Sequence, residues 1–281
     1  MRVWNSLKQD RVGLACLVFL ALVMAAGLLA PWIAPADPLE MDVKNKFAPF
    51  GPGHWLGADQ LGRDVLSRLL WGVRATLGFS LLTMLATVCL GMVLGMTAGL
   101  LRGRVEAALM RLCDVMMSFP SEVMILAIVG MLGPGLENVV IACIAAKWPW
   151  YTRMIRTVTR QYADMNAVLY ARVAGYGAPY IIRRHLLPNA AGEIAVLATL
   201  DAGSVILMIS ALSFLGLGVQ PPTPEWGMML GEAKDVMVLY PRQMLPPGVA
   251  ILLVVAACNF LGDSLRDALD PRHSPTARVT L

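Results

Sequence analysis

Four long runs with almost no charge constrain this chain more than any other feature. Residues 12–33, 75–101, 194–218 and 245–260 hold a single ionisable acid or base among them, Asp201. Charged residues make up 15% of the chain and hydrophobic residues 57%, whereas an ordinary soluble domain carries about 25% charge. A helix rising ~1.5 Å per residue needs about 20 apolar residues to cross a bilayer. The chain therefore reads as an all-α, polytopic membrane protein. Its net charge of +4 calls for no nucleic-acid partner, because basic residues near membrane ends set topology. The aromatic-interleaved basic patch of a single-strand binder is missing. Cys16, Cys89, Cys113, Cys143 and Cys258 form no CxxC pair and fall in or beside apolar runs, where thiols act as core fillers.

Read in order, residues 12–33 form an uncleaved first helix. The run is too long for a signal h-region, and Pro31 to Pro35 resembles a span exit. Residues 37–53 form a polar loop. From Leu61 to Val73 apolar residues recur at helical spacing, with Arg63, Asp64, Ser67 and Arg68 opposite. This suits either an amphipathic helix on the membrane surface or an elbow into the next span. His54 is a lone histidine, and a structural role suits it better than a metal role.

The second span covers residues 75–101, where Gly91, Gly95 and Gly99 make a row for close helix approach. A third span begins near Glu106. Arg111 and Asp114 are spaced to pair on one of its faces, Pro120 should kink it, and Glu122, inside its apolar part, should face protein or water rather than lipid. Residues 137–148 form a short fourth span, with Lys147 snorkelling toward the cytoplasmic headgroups. Residues 194–218 and 245–260 are the fifth and sixth. Asp201 is the second intramembrane acid. Glu122 and Asp201 either line a translocation path or are satisfied within the bundle.

Arg153, Arg156, Arg160, Arg172, Arg183 and Arg184 make the region around residues 162–189 the most basic in the chain. The positive-inside rule puts it in the cytoplasm. Six spans with both termini inside follow. Lys44, Lys46, Arg63, Arg68 and Arg74 fit this poorly, since they fall on the outer side. Within residues 162–189 a short helix should end at Gly175 and Gly177, and a second segment should close at Pro188. A helix of this kind, apolar on one face and held outside the membrane, suits docking to another protein.

The chain has no GxxxxGK[ST] phosphate cradle, HExxH or GxSxG, and its three histidines fall in different segments. These absences argue against an ATPase or an intramembrane enzyme. A passive channel or scaffold would have no use for the basic helical loop. Met110, Met117, Met124 and Met131 recur every seven residues and read as a packed or pore-facing stripe; nickel favours nitrogen and oxygen over thioether.

The stretch around Ala171, Gly175, Leu187 and Pro188 resembles the coupling signature of ABC-importer permeases, Glu-Ala-Ala, three residues, Gly, nine residues, Ile-x-Leu-Pro. Asn166 and Tyr170 stand where an acid or Ala is usual, and His185 stands at the Ile position. Further motifs extend the likeness to nearly the whole chain: His54 to Asp59 with Gly62-Arg63-Asp64, Arg111-x-x-Asp114 with Phe119-Pro120, Leu212 to Gly218, Pro224 to Gly227, and Gly262-Asp263 with Arg266-Asp267. They resemble the C-type permease subunit of the dipeptide, oligopeptide and nickel ABC importers. Residues 129–138 and 148–156 look most like the nickel branch.

The resemblance implies a type I ABC importer permease of six transmembrane helices with a cytoplasmic coupling helix, in a bacterial inner membrane. Residues 1–74 would hold the first helix, outer loop and amphipathic helix; 75–264 the permease domain; 265–281 a cytoplasmic tail. ATPase coupling would fall to Asn166, Tyr170, Ala171, Arg172, Gly175, Leu187 and Pro188, and the path to Glu122 and Asp201. Implied partners are a second homologous permease, two ATPase subunits using ATP and Mg, an extracytoplasmic binding protein and membrane lipid. The chain itself would hold no cofactor or metal. The implied cargo is nickel or a nickel chelate, alternatively a di- or oligopeptide, moved by alternating access.

Overall fold

The computed structural model describes residues 10–269. The polar start before Asp10, Asp270, His273 and most of the expected 265–281 tail lie outside the described residues. Helix α1 (Arg11–Ile33) opens at Asp10, whose side chain accepts from the Val12 N–H at 3.0 Å. Near its other end Pro31 has no N–H to give the Gly27 carbonyl. Arg74 supplies the donor instead: its Nε lies 2.7 Å from that oxygen and its Nη2 2.7 Å from the Leu28 oxygen. In lipid an unmet carbonyl costs several kcal/mol, so Arg74 fastens α1 to the bundle.

Helix α2 (Val65–Leu101) has 37 residues, roughly 55 Å at 1.5 Å per residue. The second span thus starts at Val65 rather than at residue 75, and the boundary expected after residue 74 falls inside it. From Val65 the helix runs unbroken into the span, as an elbow would. The polar face is buried: Arg63 and Arg68 are each 1% exposed. Arg63 donates from Nε to Asp59 at 2.7 Å and from Nη2 to both Glu232 oxygens at 3.0 Å. Arg68 Nη1 donates to Asp59 at 2.5 Å and to Glu232 at 2.7 Å. A buried guanidinium must be paired, and here two guanidinia share two carboxylates. His54 Nδ1 lies 3.0 Å from Asp64, which also caps α2 through the Ser67 N–H.

These pairs explain the misfit in the charge count. Arg63 and Arg68 are neutralised within the protein and Arg74 is engaged with α1. Lys44, Lys46 and Arg74 are the exposed ones of the five, and Arg74 is held by α1 carbonyls.

The third span is broken rather than kinked. Helices α3 (Gly103–Met117) and α4 (Ser121–Leu132) meet at 81°, because Pro120 cannot continue α3 and instead opens a new helix. The break divides the methionine stripe. Helix α5 (Leu136–Ala163) runs 28 residues through Pro149, so the fourth helix is not the short segment expected. It extends because its arginines find acids on α3: Arg156 pairs with Glu106, Arg160 lies 3.4 Å from the same residue, and Arg153 pairs with Asp114. Asp114 therefore bonds across helices and not to Arg111. The glycine row packs against α5 as its spacing predicts: a Cβ on Gly95 would sit 2.6 Å from the Thr152 carbonyl oxygen.

A short helix α6 (Asn166–Val173) precedes α7 (Ala178–Phe214), a continuous helix of 37 residues. Pro188 does not close a segment. A π-turn at Ile182–Leu186, in which the Leu187 N–H reaches back to Ile182, lets the helix pass the proline. Helix α8 (Trp226–Lys234) and α9 (Leu245–Leu269) complete the fold; the expected 264/265 boundary falls inside α9. Glu225 caps α8 through the Met228 N–H at 2.8 Å and accepts from the Thr76 hydroxyl at 2.9 Å. It is fully buried. Burial pushes its carboxyl above the usual range, against the pull of those donors. Four helices (α1, α2, α7 and, with its preceding turn, α9) are long and apolar enough to cross a membrane, and α3 with α4 passes the same test as a bent pair. Among the described residues there is no strand, only two isolated bridges.

Candidate coupling face and translocation wall

Helix α6 is only eight residues long and needs tertiary support to persist. Val168 and Ala171 provide it by packing against Leu100 at the end of α2 and Ile181 and Leu186 at the start of α7. Arg172 adds a hydrogen bond from Nη2 to the Leu100 carbonyl at 3.1 Å. The helix ends in a Schellman turn. The Tyr176 N–H bonds to Ala171 at 3.0 Å and the Gly175 N–H to Arg172 at 3.0 Å, with Gly175 at φ +82°. A left-handed C′ residue of this kind is usually glycine.

The opposite face is apolar and open. Tyr170 is 74% exposed and Val173 88%, with Met165, Leu169 and Tyr176 also exposed. Asn166 begins the helix and is exposed. Of the sequence-picked residues, Ala171 is the socket side, Asn166 and Tyr170 lie outward, and Gly175 makes the turn. Leu187 and Pro188 are exposed on α7, and it is Leu186 that is fully buried beneath α6.

The two intramembrane acids differ. Glu122 stands in the first turn of α4, beside the break rather than deep in a span. It is exposed, with the Ser121 hydroxyl donating at 3.0 Å. Asp201 is satisfied within the bundle: Lys147 Nζ donates to one oxygen at 2.7 Å and the Tyr151 hydroxyl to the other at 2.8 Å. Lys147 also donates to Ser204 at 3.1 Å. Lys147 does not snorkel, because a half-buried carboxylate on α7 is within its reach. Sequence reading missed Lys147, Tyr151 and Ser204 as a unit. The signal was present: polar residues at i and i+4 on α5 and at i and i+3 on α7, each within an apolar stretch, share a face. Among the described residues no cluster of three or more His, Cys, Asp or Glu is arranged to hold a metal ion.

Residues 91–275 match the family described as binding-protein-dependent transport system inner membrane component, and residues 1–49 match the N-terminal transmembrane domain of oligopeptide transport permease C. The metal-staphylopine import system permease protein CntC of Staphylococcus aureus is 42% identical, covering 98% of this chain and 95% of its own. The nickel transport system permease protein NikC of Escherichia coli is 41% identical, with 91% and 92% covered. The di/tripeptide transport system permease protein DppC of Pseudomonas aeruginosa is 41% identical, with 96% and 91% covered.

Proposed function

This chain belongs to the binding-protein-dependent transport system inner membrane components, as a C-type permease subunit of the dipeptide, oligopeptide and nickel ABC importers, and on that premise we propose that its cargo is nickel carried as a chelate. It is a permease subunit and not an enzyme; ATP hydrolysis belongs to separate ATPase subunits. In this reading α3 with α4 and α5 are the third and fourth of six crossings, and both termini are cytoplasmic. A second homologous permease completes the path. Two ATPase subunits hold ATP and Mg, and an extracytoplasmic protein delivers the cargo.

The observation that carries the transport reading is the socketed α6. Its buried side fixes it to the ends of α2 and α7, and its exposed side offers Tyr170 and Val173 to a partner. An ATPase that grips this face moves α7 with it, since only the Schellman turn and the start of α7 intervene. ATP-driven closure then switches the path between outward and inward openings by rigid-body motion. Asn166, Tyr170, Arg172, Gly175, Leu187 and Pro188 serve this coupling, and Glu122 lines the path.

The chelate reading draws on the relative named for a metal complex and on the wall itself. Glu122 offers a single charge suited to a pre-formed complex, rather than a ligand set that strips a metal. The peptide reading is supported by the di/tripeptide relative at 41% identity. A host lacking its own nickel and peptide importers, supplied with all partner subunits, distinguishes them. Radiolabelled nickel uptake that rises with an added carboxylate chelator, without labelled dipeptide uptake, supports the first reading. Dipeptide uptake alone overturns it in favour of the second.

A further inference from the structure

The α5–α7 interface has an unusual composition along its length. On one side Val139, Ala142, Cys143 and Ala146 share a cluster with Val205, Ile209 and Leu212, and with Ile125 and Val129 of α4. On the other Tyr151, Ile155 and Val158 share a cluster with Ala190 and Ile194, and with Val88 and Met96 of α2. Apolar attraction of this kind is non-directional and permits one helix to slide on the other. Between the two patches sits the polar knot: Lys147 to Asp201 at 2.7 Å, Lys147 to Ser204 at 3.1 Å and Tyr151 to Asp201 at 2.8 Å. These bonds have direction and fix the axial register. Among the described residues, Lys147–Asp201 is the one ion pair that joins α7 to another helix.

The knot also reaches a third helix. Tyr151 is fully buried, and a Cβ on Gly91 of α2 would lie 2.5 Å from the Tyr151 Cβ. Pro149 stands between Lys147 and Tyr151 and deprives the Ala145 carbonyl of its helical donor, so α5 bends most readily at this point. We propose that Lys147, Tyr151 and Asp201 are positioning residues for transport: they form the joint through which displacement of α7 is passed to the α2–α5 pair. The proposal rests on the coupling reading of α6, because α6 and α7 must move as one. It differs from a path role for Asp201, since both of its oxygens are taken up by α5.

The test uses the complete importer, with partner permease, ATPases and binding protein, reconstituted in liposomes. The readouts are assembly and cargo taken up per ATP hydrolysed. Removing one charge strands the other, so single variants confound folding with function. The double variant Lys147→Met/Asp201→Leu leaves no stranded charge, and Tyr151→Phe removes only a hydroxyl. The expected result is normal assembly and hydrolysis, with uptake per ATP lowered at least tenfold in the double variant and severalfold in Tyr151→Phe. Lys147→Arg, which keeps the charge, should retain most of the coupling. An unchanged ratio in the double variant, or in Tyr151→Phe should the double variant fail to assemble, overturns the joint. Failure of the coupling reading registers differently. Val173→Asp on the exposed face of α6 would then leave ATPase recruitment intact, an outcome that overturns both. Failure of the joint alone leaves Val173→Asp disruptive.

Discussion

At Gly175 the backbone is left-handed, with φ +82°, and a Cβ there would meet nothing within 4 Å. Substitution is therefore resisted by backbone strain and not by crowding. A left-handed non-glycine residue costs about 1–2 kcal/mol, less for asparagine. Gly175→Asn should keep most transport, and Gly175→Val should lower uptake per ATP without loss of the assembled complex, as read in reconstituted vesicles. Gly95 is the opposite case, with helical backbone and the Thr152 carbonyl oxygen only 2.6 Å from an added Cβ. Gly95→Leu should prise α2 from α5 and lower thermal stability in detergent, whereas Gly78→Ala, with open space around it, should not. Neither residue could be ranked from sequence, where both are glycines among apolar neighbours. The row at 91, 95 and 99 was visible from its four-residue spacing, but the partner helix was not.

Among the elements, the ion cluster of Asp59, Arg63, Arg68 and Glu232 ties distant parts of the chain. Asp59, Arg63 and Arg68 precede or open α2, and Glu232 lies on α8, more than 160 residues later. Breaking a buried pair by removing one partner costs roughly 3–5 kcal/mol. Glu232→Ala should lower the unfolding temperature of the detergent-solubilised protein markedly, and Lys44→Ala on the exposed loop should leave it unchanged. The amphipathic pattern from Leu61 to Val73 was legible, but the acids that cover its polar side were not. Periodicity separates two faces without saying which partner covers the polar one. The same ambiguity misplaced Arg153, Arg156 and Arg160, which pair with α3 instead of lying free in a loop. Pro120 and Pro188 make the point from the other side: one breaks its helix by 81° and the other is passed by a π-turn. A proline removes a donor in either setting, and neighbouring packing decides the response.

Across the whole molecule, the proposed topology makes a prediction at two basic residues. Lys44 should be reached from outside the cell and Arg183 only from the cytoplasm. Single cysteines at these positions in a cysteine-free background, labelled before and after permeabilisation, check this; labelling of Arg183→Cys in intact cells would overturn the orientation. The sequence by itself determined that the chain is helical and membrane-embedded, that a basic helical stretch ends at Gly175, and that its motifs resemble importer permeases. The first two follow from composition, helical period and turn chemistry, all local properties of the chain, and the third from its motifs. Only the tertiary structure decided that α6 is seated on α2 and α7, that α7 runs unbroken past Pro188, and that Asp201 is held by Lys147 and Tyr151. Each depends on which side chains meet across helices far apart in sequence, and the spacing of residues along one helix does not name the partner.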